Sequence, residues 1–223
     1  MTSALKIAIV GAESTGKSVL ADALAQTLAE ATGLSAVAVP EWLRSWCELE
    51  GRTPRPEEQA EIAAEQQARI EAAARSHAIV VCDTTALMTA VYSRMLFQDR
   101  TLEPMALTHQ RTMAITLLTA LDLPWTADGL QRDGPHVRVP VDDLVRELLI
   151  GQSLPWALVA GVGPARLQSA LDAVAPLLRA RETPRRGLFS RLQARNAEPA
   201  ARAWSCEFCD DPDCEHALRR ATT

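Results

Sequence analysis

The chain has 223 residues, 48% apolar and 23% charged, with a net charge of −5 and only 4% aromatic side chains. This is the composition of one globular domain with a modest appendage, long enough to bury a sizeable core. It argues against a membrane helix, since no apolar run reaches the roughly 18 residues required, and the acidic balance gives no general reason to expect a nucleic-acid partner.

The first element is "LKIAIV", a buried-strand run over 6–10 that passes directly into "GAESTGKSVL". Gly11, four residues, Gly16, Lys17 and Ser18 have the spacing G-x-x-x-x-G-K-[ST] of a phosphate-cradling loop. Such a loop wraps successive backbone N–H groups around a polyphosphate and runs into a helix N-terminus, whose free N–H groups and dipole add to the grip. Gly11, Ala12, Glu13, Ser14, Thr15, Gly16, Lys17, Ser18 and Val19 are therefore the expected nucleotide-binding residues. Lys17 would reach the β- and γ-phosphates and the Ser18 hydroxyl would hold Mg²⁺. Val19, Leu20, Ala23, Leu24 and Leu28 recur at helical spacing, so a helix over 16–31 follows the loop. A strand before and a helix after distinguish the motif from a chance match.

Further along, "GLSAVAVPEW" supplies a second strand, 35–39, stopped by Pro40 and followed by Glu41 and a short helix "WLRSW". Prolines and acids then open a long Ala- and Glu-rich helix. "AIVVCD" is a third strand ending in Asp83, and "ALMTAVYSRML" and "PMALTHQRT" read as helices. "MAITLLTA" is a fourth strand, leading into the polar, Gly- and Pro-punctuated loop "LDLPWTADGLQRDGPHVR". A helix "VDDLVRELLI", a fifth strand "PWALVAG" and a last helix "GPARLQSALDAVAPLLRA" complete the pattern. Apolar strands alternating with helices predict an α/β fold of the P-loop NTPase class: a five-stranded, mostly parallel sheet with helices on both faces, over residues 1–180. An Arg-, Pro- and Ala-rich linker, 181–203, and a small Cys-rich tail, 204–223, follow.

Ligands of such sheets bind beyond the carboxyl ends of the strands. The chemistry-bearing residues sit there: the loop after the first strand, Glu41 after the second, Asp83 after the third, and the long loop after the fourth. Asp83 suits Mg²⁺, directly or through water. Glu41, read as ending the strand beside the phosphate loop, is placed to orient and deprotonate an attacking hydroxyl. Which of the two is base and which is metal ligand stays open, and an N-cap role for Glu41 is compatible with either. Trp42 and Tyr92 are candidates to stack on a flat or cationic ring. Arg132 and Arg138, in the loop that also holds Trp125 and Asp128, are candidates to close over the transferred phosphoryl group, and Arg44 is a further substrate-facing candidate.

Taken together, "GAESTGKS", "PEWLR", "IAAEQQARIE", "CDTTALMTAVYS" and "DLPWTADGLQRD" resemble the NadR-type ribosylnicotinamide kinase domain, over roughly residues 5–180. The resemblance implies ATP-dependent, Mg²⁺-assisted phosphorylation of a riboside 5′-hydroxyl, with nicotinamide riboside as the family substrate. It implies that Gly11 to Ser18 form the ATP loop, and that Glu41, Arg44, Asp83 and Thr84 take the positions of the family's Glu, Arg and Asp-Thr. Trp125, Asp128, Gly129 and Arg132 would form a lid. The family glutamine of the long helix falls on Gln66 or Gln67. The chain departs from the pattern in having Pro40 where an aromatic is expected before the Glu, which puts the substrate in question more than the reaction. The open alternatives are a kinase of another nucleoside-like alcohol and a non-catalytic ATP-binding regulatory module.

Three of the five cysteines crowd the C-terminus, where Cys206, Cys209, Cys214 and His216 form C-x₂-C-x₄-C-x-H. Cys₃His is a structural zinc set. The alternatives are a reduced tail without metal and a redox C-x₂-C. The odd cysteine count, with no export-type segment at the N-terminus, points to a reducing cytoplasm. Cys82, inside an apolar strand, reads as a small buried hydrophobe.

Overall fold

A computed structural model describes residues 3–126 and 134–182. The chain divides into two compact units, Met1–Leu178 and Arg179–Thr223, and the description below concerns the first. Asp128, Gly129 and Arg132 of the expected lid, the linker, and Cys206, Cys209, Cys214 and His216 lie outside the described residues.

The described elements run β1 (Leu5–Val10), α1 (Lys17–Thr32), β2 (Ala36–Val39), α2 (Trp42–Glu50), a 3-10 turn (Pro56–Glu58), α3 (Gln59–Ser76), β3 (Ile79–Asp83), α4 (Ala86–Phe97), α5 (Glu103–Gln110), β4 (Ile115–Thr119), a second 3-10 turn (Pro135–Val137), α6 (Arg138–Gly151), β5 (Trp156–Val159) and α7 (Pro164–Glu182). The strands form one sheet in the order β2-β3-β1-β4-β5. Every pairing in it is parallel, so the sheet is wholly rather than mostly parallel. Parallel strands need crossovers, and the helices that supply them cover both faces. Alternation along β1 divides the core. Leu5, Ile7 and Ile9 pack with Leu20, Leu24 and Leu28 of α1 and with Ala170 and Val174 of α7. On the opposite face Val10 packs with Leu87 and Val91 of α4 and Val145 and Leu149 of α6, and Ala8 with Ile70 of α3.

The order of strands corrects one expectation. The strand beside the phosphate-loop strand is β3, which ends in Asp83; β2, which leads into Glu41, lies one place further out. The chain length between elements carries no information about which strands become neighbours. Arg138 is a second correction: it is the first residue of α6 and not part of the preceding loop. Proline is tolerated in a first helical turn, so Pro140 does not delay the helix. No helix among the described residues is long and apolar enough to cross a membrane.

Candidate active site

The phosphate loop is built by close backbone approach. Gly11 sits at φ +146°, and a Cβ there would lie 2.2 Å from Thr119 Oγ1 at the end of β4. Only glycine fits that conformation and that gap. The Thr119 hydroxyl donates to the Val10 carbonyl at 3.2 Å and lies 2.7 Å from the Thr15 hydroxyl, which donates to the Ala12 carbonyl at 2.8 Å. Gly16, left-handed at φ 76°, turns the chain into α1. Lys17 Nζ donates to the Ala12 carbonyl at 2.9 Å, so its ammonium lies along the loop. The Ser14 hydroxyl accepts from Thr126 N–H at 2.8 Å and ties the loop to the segment that carries Trp125. Trp125 is partly buried, with no partner for its indole N–H among the described residues.

A residue that the sequence reading missed holds the loop from behind. Arg166, on the first turn of α7 and 4% exposed, donates from Nη1 to the Thr15 carbonyl and from Nε to the Gly161 carbonyl, both at 2.8 Å. Its Nη2 pairs with Asp122, whose other oxygen accepts from Gly161 N–H at 2.6 Å. The sequence signal was available: Arg166 shares a helical stripe with the buried Ala170 and Val174, and a charge on a buried stripe demands partners.

Asp83 ends β3, buried, with Oδ1 lacking a hydrogen-bond partner among the described residues. Burial raises its pKa; a hydrogen bond from Ser18 and the charges of Lys17 and Arg44 oppose that rise. An orphaned carboxylate oxygen beside the Ser18 hydroxyl is a donor pair of the hard-oxygen type that Mg²⁺ takes. Among the described residues there is no cluster of three or more His, Cys, Asp or Glu placed to hold a metal, which is compatible with Mg²⁺, an ion that keeps several waters.

Glu41 occupies the N-cap position of α2 but its side chain makes no cap bond. Gln66 of α3 does that work: its Oε1 accepts from Trp42 N–H at 2.6 Å and its Nε2 donates to the Pro40 carbonyl at 3.4 Å. Gln67 instead reaches Met105 Sδ. Freed from capping, the Glu41 carboxylate turns inward. Burial raises its pKa most; the charges of Lys17 and Arg44 and a hydrogen bond from Thr84 pull it down, while Asp83 pushes it up. Thr84 is held at φ 65°, with its N–H donating to the Ile9 carbonyl at 3.1 Å, one step beyond the β1–β3 ladder. Lys17, Ser18, Glu41, Arg44, Asp83 and Thr84 thus gather at the carboxyl ends of β1, β2 and β3.

A cavity of about 540 Å³ opens on this cluster. Glu13 to Val19, Glu41, Arg44 and Thr84 line it together with Leu43, Cys47, Met88, Tyr92 and Phe97. Tyr92 lines the cavity, as expected, but Trp42 does not: its ring lies under the Arg69 guanidinium, 3.8 Å away. Consecutive residues at a helix start point about 100° apart, so adjacency to Glu41 does not bring Trp42 to the same wall. Arg138 is 8% exposed, with Nε and Nη2 buried and without partners among the described residues, and it does not line the cavity. Cys82 is the buried hydrophobe its strand position implied, with burial pushing its thiol up to about 12.

A phosphate loop at the carboxyl end of the central strand of a parallel sheet, with a buried acid at the end of the neighbouring strand, defines a nucleotide-binding domain of the P-loop NTPase class. Residues 6–166 match the AAA domain family, and the chain belongs to that family. Its fold is similar to that of a NadR protein in complex with NR, at TM-score 0.64 and 20% identity over 78% of this chain and 50% of that one. It is likewise similar to a NadR protein in complex with NAD and AMP-PNP, at TM-score 0.63 and 20% identity over 78% of this chain and 49% of that one. The chain spans about half the length of these proteins, and at such identity the likeness is one of fold, as the sequence motifs implied. A shikimate kinase from Acinetobacter baumannii in complex with shikimate matches at TM-score 0.44 and 13% identity over 79% of this chain and 94% of that one, too loosely to build on. No curated protein sequence matches the chain.

Proposed function

We propose that the chain is an ATP-dependent kinase that phosphorylates the hydroxyl of a nucleoside-like acceptor, with nicotinamide riboside as the first candidate. The observation that carries this reading is the placement of Glu41, a carboxylate with a raised pKa, in a cavity shared with the phosphate loop and within electrostatic reach of Lys17 and Asp83. A nucleotide-binding switch needs the loop but has no use for a base facing a cavity large enough for a second substrate.

The loop amides and Lys17 bind the phosphates and fix the γ-phosphorus at the cavity mouth. Ser18 and Asp83 would hold Mg²⁺, whose charge would neutralise phosphate oxygens during transfer. The acceptor hydroxyl lies against Glu41, with Thr84 fixing the carboxylate. The hydroxyl oxygen bonds to the γ-phosphorus, the bond from that phosphorus to the β,γ-bridging oxygen breaks, ADP leaves, and the proton passes to Glu41. A raised pKa suits that transfer, because a base works best when its pKa lies near the operating pH. Arg44 stands where it can meet charge on the transferred group. Arg132 and Asp128 complete the reading as lid residues.

The test is ADP formation over a panel of ribosides and deoxyribosides, with the product identified by mass. Nicotinamide riboside is expected to be turned over, and E41Q to lose about 10²- to 10⁴-fold in kcat while nucleotide affinity stays within about threefold. Turnover of deoxynucleosides alone would end the nicotinamide proposal. If no acceptor yields a phosphorylated product and E41Q still binds nucleotide, the domain is a switch.

A further inference from the structure

Gln110, the last residue of α5, is 1% exposed, at a place that an apolar side chain would fill at lower cost. Both ends of its amide are answered. The Thr85 hydroxyl donates to Gln110 Oε1 at 2.7 Å, and Gln110 Nε2 donates to Thr116 Oγ1 at 2.8 Å. Thr85 and Thr116 are each 1% exposed as well. Leu87 N–H donates to Thr85 Oγ1 at 3.3 Å, so the hydroxyl hydrogen of Thr85 is left for Oε1, and this sets the orientation of the amide. A buried chain of three side chains thus runs from β4, through the end of α5, to the turn between β3 and α4.

That turn is where the site needs a grip. Asp83 is fixed by the sheet, in which it pairs with Ile9 of β1. Thr84 lies one residue beyond, at φ 65°. For a β-branched residue the left-handed conformation is an outlier, and it persists only where the surroundings over-determine it. On one side Thr84 N–H donates to the Ile9 carbonyl at 3.1 Å. On the other the chain passes at once into Thr85, the N-cap of α4, whose carbonyl accepts from Met88 N–H at 2.9 Å. The cap bond to the Thr85 hydroxyl is the long one, and the bond to Gln110 is the short one. Between these two supports Thr84 places its hydroxyl on Glu41.

We propose that Gln110 is a positioning residue for Glu41: by tying Thr85 to β4, it keeps Thr84 in its left-handed turn with the hydroxyl on the Glu41 carboxylate. Gln110 does not line the cavity and acts through Thr84. The effect on rate rests on the kinase reading, whereas the hold on Glu41 is a property of the fold. Without that hold the carboxylate loses a hydrogen bond, while Lys17, Arg44 and Asp83, the charges that face it, stay in place. The lost bond favours the charged form, so Glu41 then titrates at higher pH. Asp83 and the phosphate loop keep their own supports, and nucleotide binding is spared.

The experiment compares the parent, Q110M, T84V and T84V/Q110M. The Glu41 carboxyl is titrated by ¹³C NMR, AMP-PNP affinity is measured by calorimetry, and kcat is measured on nicotinamide riboside. In Q110M, Glu41 is expected to titrate at higher pH than in the parent, kcat to fall by about 10- to 100-fold, and AMP-PNP affinity to stay within about threefold. T84V should move the Glu41 titration in the same direction. The double variant should move it no further than T84V alone, because the two residues act in series. A Q110M protein that is less stable to urea but leaves Glu41 where it was would overturn the proposal, since Gln110 would then only tie α5 to β4. So would shifts that add in the double variant, or loss of AMP-PNP binding along with turnover. Should Q110M fail to fold, T116V carries the test: it cuts only the far bond, with an isosteric residue suited to a strand, and an unmoved Glu41 there would overturn the proposal. If no acceptor is phosphorylated while Glu41 moves as expected, the kinase reading falls and the role of Gln110 stands. If kcat falls in Q110M with Glu41 unmoved, the role of Gln110 falls and the kinase reading stands.

Discussion

Replacing Arg166 by Met asks whether the phosphate loop is held in place from α7. The guanidinium makes three contacts: the Thr15 carbonyl, the Gly161 carbonyl and Asp122. A hydrogen bond from a charged donor contributes about 1.5–3 kcal/mol net. The three do not count equally. Thr15 is fully buried, so water cannot replace the lost donor and the full cost of about 2 kcal/mol applies. Gly161 and Asp122 lie at the surface, with the Asp122 side chain 33% exposed, and water takes over most of their share, leaving about 0.5 kcal/mol each. The Met side chain refills the space of the arginine methylenes. The sum is about 3 kcal/mol, a large part but not all of the 5–15 kcal/mol of a typical domain, so R166M should fold at low temperature. Urea unfolding measures the loss. Titration with a fluorescent ATP analogue, under conditions where both proteins are folded, measures the loop, and about tenfold weaker binding is expected, equivalent to 1.4 kcal/mol. A variant as stable as the parent would refute the reasoning. So would one destabilised as expected that binds nucleotide normally, because Arg166 would then hold the fold and not the loop.

Glu41 links activity to stability. Burial raises its folded-state pKa above the usual 4.5, so the stabilisation due to its proton is complete below the unfolded value and is lost as pH rises through the raised one. E41Q should therefore be more stable than the parent at neutral pH by urea unfolding, with the gain vanishing near the ordinary carboxylate pKa; equal or lower stability at neutral pH would contradict the assigned cause. The same raised pKa sets the acid limb of kcat/KM for the acceptor, which should climb with pH above the normal carboxylate range; a limb at the unperturbed position would exclude Glu41 as the base. Gly11→Ala should abolish nucleotide binding measurably by titration, and adding Thr119→Ala should restore only part of it, because the overlap with Oγ1 is relieved while the φ of +146° and the Thr119 backbone at 3.2 Å remain; full recovery would show that the hydroxyl alone requires the glycine.

The fold was legible because its three central strands, β3, β1 and β4, are buried on both sides. Continuous apolar runs such as "IVVCD" announce parallel strands, and the glycine–lysine spacing announces the loop. Sheet order was not legible, since five similar runs do not say which neighbours they take. Arg138 was misplaced because Pro140 resembles a helix boundary, although a first turn admits proline. Trp42 was drawn to the site by sequence adjacency to Glu41, whereas the turn of α2 sends it to Arg69.

What the pattern held unread lies in its exceptions. Gln66 falls on the same α3 stripe as Ile62, Ala63 and Ile70, and Arg166 on the same α7 stripe as Ala170 and Val174. At each position an apolar residue would satisfy the helix at lower cost, so a polar one must be answered by something else. For Gln66 the answer is the turn that releases Glu41 from capping, and for Arg166 it is the Thr15 carbonyl of the phosphate loop. In both cases the conflict between local pattern and burial is resolved at the site, although the residues sit on helices well separated from it in sequence.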